Sequence, residues 1–176
     1  MSAESEKIKG GYVKKAVIMG VGAEQGLGSQ LAKRIASEGL HVFVASRTQS
    51  RLDALTAEIE QARGKATAVC TDATNEEQVI NLFEKASSGL ELAIYNTGNN
   101  FPGQIMDMDS EYFLKSWKSC CFGGFLFGRE AVRHMVKSGR GTLLFTGASA
   151  SLRGSCLLYT SPSPRDRSLS RMPSSA

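Results

Sequence analysis

The chain has 176 residues, 41% of them apolar and 22% charged, with a net charge of +4. That length supports one domain with a hydrophobic core, and the charge is too small and too scattered to argue for nucleic acid. No apolar run approaches membrane-spanning length, and the start MSAESEKIKGGY is polar and mixed in charge, unlike a secretion signal.

The four cysteines, Cys70, Cys120, Cys121 and Cys156, form no CxxC pair, and the two histidines complete no metal set. Reduced thiols and a cytoplasmic setting are expected.

In chain order, residues 1–11 are a polar extension. Ala16–Gly20 is a short apolar run and predicts a buried strand. Leu27–Ser37 follows with helical spacing, Leu27, Leu31 and Ile35 recurring at four. His41–Ala45 predicts a second strand, and Arg51–Ala62 a helix facing inward with Leu52, Leu55 and Ile59. Ala66–Cys70 is a third strand. Asn75–Ala86 is a helix, capped by Thr74 or Asn75, with Val79, Leu82 and Phe83 inward. Leu90–Tyr95 is a fourth strand. Ser110–Val136 is one long helical region carrying Phe113, Trp117, Phe125 and Val132, and Thr142–Phe145 is a fifth strand.

Strands that alternate with helices imply parallel βαβ units. The fold class is therefore α/β, a doubly wound parallel sheet of Rossmann-like type, with its ligand at the C-terminal ends of the strands. His41 and His134 are expected to be structural, and Cys120 and Cys121 small core residues. Trp117 and the Phe122, Phe125 and Phe127 group are expected in the core or at a subunit contact.

After the first strand comes GVGAEQGLG, residues 20–28. A strand turning sharply into a helix aims backbone N–H groups and a helix N-terminus at a pyrophosphate. Gly22 would make the turn, Gly26 would admit the phosphates and Gly28 would let helix and strand pack closely. The strict GxGxxG pattern is absent, and a purely structural glycine turn would look the same.

Three further matches resolve this. The spacing Gly22-Ala-Glu-Gln-Gly26-Leu-Gly28 resembles the short-chain dehydrogenase/reductase family, whose pattern is TGxxxGxG, with Val21 here in place of the threonine. Asp72 in CTDAT fits the aspartate that in this family follows the third strand and lies near the adenine. Asn96-Thr97-Gly98 fits, with one substitution, the Asn-Ala-Gly element that braces the cofactor loop.

Trp117 and Phe122–Phe125 resemble the family's central helix, and Gly141–Gly147 its fifth strand. The resemblance covers roughly residues 12–155 and implies an NAD(P)-binding domain with about five of the family's seven strands. Its cofactor-binding candidates are Gly20, Gly22, Gln25, Gly26, Leu27, Gly28, Arg47, Asp72, Asn96 and Gly98.

Arg47 closes the second strand, where a residue meets the adenosine ribose. An acid there would accept from the 2′-OH of NAD, and a base suits the 2′-phosphate of NADP. No Asp or Glu occurs from His41 through Arg51, so NADP(H) is expected over NAD(H). Glu24 is a counter-signal, because some NADP enzymes of the family carry a base in this loop.

The family transfers a hydride between nicotinamide and a carbonyl or alcohol carbon, usually with a Tyr-x-x-x-Lys pair, a serine and a central-helix asparagine. Four residues beyond Tyr12, Tyr95, Tyr112 and Tyr159 stand Ala16, Asn99, Ser116 and Ser163, none of them lysine. Cys120 stands where the asparagine is expected and Ala148 where the serine is. Ser149, one step on, is the one catalytic candidate and would serve only if the loop shifts by one residue.

The resemblance implies a small carbonyl or alcohol substrate and a homo-oligomer through the central helix, with no nucleic acid, membrane or metal. It implies an oxidoreductase whose copy here, lacking the pair, is inactive. The alternatives are a non-catalytic NAD(P)-binding protein or cofactor sensor, and a fold-only subunit partner.

Composition changes near residue 155. The last residues, CLLYTSPSPRDRSLSRMPSSA, hold three of the chain's four prolines and show no periodicity. Domain 12–155 is thus expected to be incomplete, and 156–176 a disordered, non-native tail. Its wording resembles the in-frame translation of a sequencing-library adapter.

Overall fold

Each of the five apolar runs forms a strand in a computed structural model, which describes residues 13–98 and 105–147. The strands are β1 Lys15–Met19, β2 His41–Ser46, β3 Lys65–Cys70, β4 Leu90–Tyr95 and β5 Thr142–Phe145. All pair in parallel, in the order β3-β2-β1-β4-β5. Chain order reverses between β1 and β4, so the crevice above β1 is the topological switch point where ligands of doubly wound sheets bind.

The helices are α1 Leu27–Ser37, α2 Gln49–Gln61, α3 Glu76–Ala86, α4 Ser110–Trp117 and α5 Gly123–Ser138. They bury the central strands β2, β1 and β4 on both faces, which is why those strands lack polar alternation, and leave β5 at the edge largely exposed. On one face Val17, Met19 and Phe43 pack with Val79, Leu82 and Phe83 of α3 and with Leu126, Phe127 and Ala131 of α5. On the other, Ala16, Ile18, Val42 and Val44 meet Ala32 and Ala36 of α1 and Leu52, Leu55 and Ile59 of α2.

Two expectations need correction. The buried stripe of α1 is Gly28, Ser29, Ala32 and Ala36, not Leu27, Leu31 and Ile35. Leu27 is 57% exposed, and the other two only flank the core. The helix lies so close to the sheet that a Cβ on Gly28 would stand 2.5 Å from the Gly20 carbonyl oxygen, so only small side chains fit beneath it.

The long helical region runs unbroken from Ser110 to Ser138, as the spacing predicts, but its hydrogen bonding changes midway. A five-residue π-turn, Lys118–Phe122, separates α4 from α5. Cys120 and Cys121 lie in that turn and are exposed, not core. Of the aromatic group, Phe127 is fully buried, whereas Trp117 and Phe125 are exposed. The two histidines have structural partners: His41 Nε2 lies 2.8 Å from Thr67 Oγ1, and His134 stacks on Phe83.

Ser149, and the tail expected to be disordered, lie outside the described residues. No helix among the described residues is long and apolar enough to cross a membrane.

Candidate active site

The glycine loop is built around its first glycine. Gly20 has φ +94, a left-handed conformation that side chains resist, and a Cβ there would sit 2.5 Å from the Asn96 carbonyl oxygen. The turn expected at Gly22 is therefore made at Gly20. Gly22 has ordinary φ, and nothing lies within 4 Å of where its Cβ would be.

Asn96 fastens this corner from β4. Its backbone N–H donates to the Met19 carbonyl at 2.9 Å and its side-chain amide to the Gly20 carbonyl at 3.1 Å. Ser29 Oγ donates to the Ala23 carbonyl at 2.8 Å and Gln30 Nε2 to the Glu24 carbonyl at 3.1 Å, tying the loop to α1. Gly26 is the N-cap of α1 and supplies no side chain, and no acid occupies the first turn. That helix start keeps its N–H groups and positive dipole end clear for an anion.

Above the strand ends lies a cleft of about 560 Å³, in the range of small-molecule sites. Of the sequence candidates, Gly20, Gly22, Arg47, Asp72, Asn96 and Gly98 line it. Gln25, Gly26 and Leu27 do not; Gln25 and Leu27 face outward, and Gly28 packs behind the loop.

Asp72 Oδ1 accepts from the Thr74 N–H at 2.9 Å and the Thr74 hydroxyl at 2.8 Å, so part of its carboxylate shapes the loop after β3. Sequence reasoning missed Thr48, Arg51, Lys115, Lys118 and Ser119, which also line the cleft. For Arg51 the signal was present: it follows Arg47 by four residues in a stretch without an acid.

Four cationic side chains, Arg47, Arg51, Lys115 and Lys118, share the cleft with one carboxylate, Asp72. That imbalance suits a polyanionic ligand.

Behind it, Tyr95 is 3% exposed and its hydroxyl donates to the Ser119 carbonyl within the π-turn. A Cβ on Gly123 would lie 2.5 Å from that hydroxyl, so the glycine makes room for it. Burial pushes the phenol up to about 12; a hydrogen bond with Thr97 opposes the rise, and Cys120 and Asp72 add to it. Turned to a backbone carbonyl, the neutral phenol braces the π-turn.

The family model for short chain dehydrogenase matches residues 15–160. The chain belongs to the short-chain dehydrogenase family. Over 148 residues it is 32% identical to an uncharacterized oxidoreductase, YuxG, of Bacillus subtilis (strain 168), a match covering 78% of this chain and 21% of that protein. A solved short-chain dehydrogenase from Rhodopseudomonas palustris superposes with a TM-score of 0.75 at 38% identity, covering 81% of this chain and 67% of that one. A 7α-hydroxysteroid dehydrogenase solved with NADH and 7-oxo glycochenodeoxycholic acid superposes with a TM-score of 0.74 at 27% identity, covering 81% and 56%.

The chain spans half or less of the length of these curated relatives, 46% in two further cases and 50% in another. Its Rossmann-like sheet is thus that of a family of NAD(P)-dependent oxidoreductases.

Proposed function

We propose that the chain is the cofactor-binding part of an NADP(H)-dependent oxidoreductase acting on a carbonyl or alcohol. The bound nicotinamide would supply or accept the hydride. The chain's own residues would hold the cofactor: the N-terminus of α1 and the backbone at Gly20–Gly22 would take the pyrophosphate, Asn96 would keep that corner rigid, and Asp72 would flank the adenine.

The observation that carries the NADP(H) preference is Arg47, placed in the cleft at the end of β2 with no ion pair to any described residue. A 2′-phosphate would give it one. Fluorescence titration of NADPH and NADH tests this. Arg47→Asp should weaken NADPH by about 1–3 kcal/mol and leave NADH nearly unchanged. Equal losses for both cofactors would show that Arg47 does not select.

Cys120 and Ala148 stand where the family's asparagine and serine are expected, which supports a second reading, cofactor binding without turnover; residues 1–176 also hold no Tyr-x-x-x-Lys pair. General acid catalysis is worth roughly 10²–10⁴-fold, and without that pair we expect no detectable NADPH oxidation with aldehydes, ketones or quinones. Turnover abolished by Gly22→Asp would reject this reading.

A second copy of the chain is a proposed partner. Phe113, Trp117, Phe125, Val132 and Val136 of α4 and α5 are all exposed, an apolar face that pairing would cover.

A further inference from the structure

We infer that Arg51 is a second specificity-determining residue, closing with Arg47 on the 2′-phosphate of NADP(H). This rests on the NADP(H) reading above and assigns a role to a side chain outside the glycine loop, the Asp72 loop and the second-strand end.

A 2′-phosphate is a monoester carrying close to two negative charges at neutral pH. One guanidinium leaves about half of that charge uncompensated. Arg51 lines the same cleft as Arg47, from the first turn of α2, with the N-cap Thr48 between them.

The pairing pattern of the arginines separates these two from most others. Arg34, Arg129, Arg133 and Arg140 each bridge to a glutamate. Arg47 and Arg51 bridge to none among the described residues, although both stand in a cleft. The nearest acid along α2, Asp53, accepts instead from Gln49 Nε2 at 2.6 Å. The acid within the cleft, Asp72, has Oδ1 engaged by Thr74.

For the protein alone this placement is unfavourable. A cation in the first turn opposes the helix dipole, and two like charges lining one cleft repel. An anion seated between the guanidiniums reverses both effects. The end of β2 meets the adenosine ribose in this architecture, so the phosphate available there is the 2′-phosphate and not the pyrophosphate, which faces α1.

The test is binding of NADPH, NADH, 2′,5′-ADP and 5′-AMP to the full 176-residue chain and to Arg51→Gln, Arg51→Lys and Arg47→Gln. Arg51 is exposed, so the variants should keep the far-ultraviolet dichroism and melting temperature of the parent. Arg51→Gln should lose about tenfold in NADPH and 2′,5′-ADP affinity, and less than twofold for NADH and 5′-AMP. Arg51→Lys, which keeps charge without the planar fork, should fall between.

Preserved NADPH preference in Arg51→Gln, beside lost preference in Arg47→Gln, overturns the inference and leaves the NADP(H) reading standing. Equal affinity of the parent chain for NADPH and NADH overturns both.

Discussion

The starts of α1 and α2 differ from those of α3 and α4. Helix α3 opens with Asn75, whose side chain accepts from the Gln78 N–H, and carries Glu76 and Glu77 in its first turn. Helix α4 opens with Asp109, which accepts from the Tyr112 N–H, followed by Glu111. None of these residues lines the cleft. Helix α1 opens on Gly26 and α2 on Thr48, neither with a side-chain cap bond, and neither has an acid in its first turn. Ordinary helices complete their own ends. The two incomplete ones start in the glycine loop and at the cleft wall, where a ligand anion would complete them. An unfilled helix start is thus a functional signal when it stands beside other starts, in the same chain, that are filled.

The sharpest way to break this contrast is at Gly20. Gly20→Ala combines positive φ with a Cβ pressed 2.5 Å from the Asn96 carbonyl. It should destabilise the chain by about 2–3 kcal/mol and abolish cofactor binding. Gly39 also has positive φ, but nothing lies within 4 Å of its Cβ position. Gly39→Ala should cost only about 1 kcal/mol and leave binding intact. Urea melts and NADPH titrations of the two variants compare strain alone with strain plus collision. Similar losses at both positions would remove the special role of the Gly20 corner.

The caps themselves sharpen it further. Asn75→Ala removes a formed cap bond and should cost about 1 kcal/mol. Thr48→Ala removes none and should cost a few tenths. A larger loss at Thr48 than at Asn75 would contradict the assignment of α2 as an uncapped start.

Much of this was legible in the sequence, for identifiable reasons. The strands β4 and β5 and the helix α1 fall on the residues that apolar runs and fourfold spacing pick out. Those signals are local, set by which faces must leave water. The inward face of α1 is set by close approach at Gly20, a tertiary constraint that selects small residues over the leucines that recur at four. The π-turn was invisible for a similar reason. It turns on a hydrogen bond from Tyr95, distant along the chain, and on the space left by Gly123. Of the cleft's polar lining, Arg47, Asp72 and Asn96 are legible from the ends of β2, β3 and β4, whereas Thr48, Arg51, Lys115, Lys118 and Ser119 are not. Arg51 escaped because its helix was started two residues late, placing it at the first position and not inside a first turn that already lacked an acid.

Tyr95 tests the π-turn between α4 and α5, through which the backbone stays helical. Tyr95→Phe should cost about 1 kcal/mol, the usual worth of one hydrogen bond. The phenol also sets a pH dependence. Its folded value of about 12 stands above the ordinary 10.0, so the native state holds this proton more tightly than the unfolded chain. Stability from this source is fully present below pH 10 and is lost as pH rises toward 12. Ultraviolet titration of the phenolate band follows the group directly. A tyrosine absent in the Phe variant but titrating near pH 10 in the parent would show that Tyr95 is not buried against Ser119.

The smallest effect belongs to the opposite end of the sheet, away from the cleft. His41 pairs in register with Lys15 on one side and Lys65 on the other. Its imidazole stacks on Phe43 and shares a hydrogen bond with Thr67. Burial lowers its pKa first, and the charges of Lys15 and Lys65 lower it further. The unfolded chain therefore binds the proton more tightly than the native state. The resulting stability is present above the ordinary value of 6.5 and declines as pH falls through and below it. Replacing His41 by Gln keeps a polar group opposite Thr67 and removes the titration. Melting temperatures of the parent should fall more steeply than those of His41→Gln between pH 7 and pH 5, roughly the window around the ordinary imidazole value. NADPH affinity at neutral pH should be the same in both, because nothing at this end of the strands lines the cleft. Parallel melting profiles would show that the imidazole is as easily protonated in the folded chain as in the unfolded one, and that the basic residues on either side of it leave its charge unpenalised.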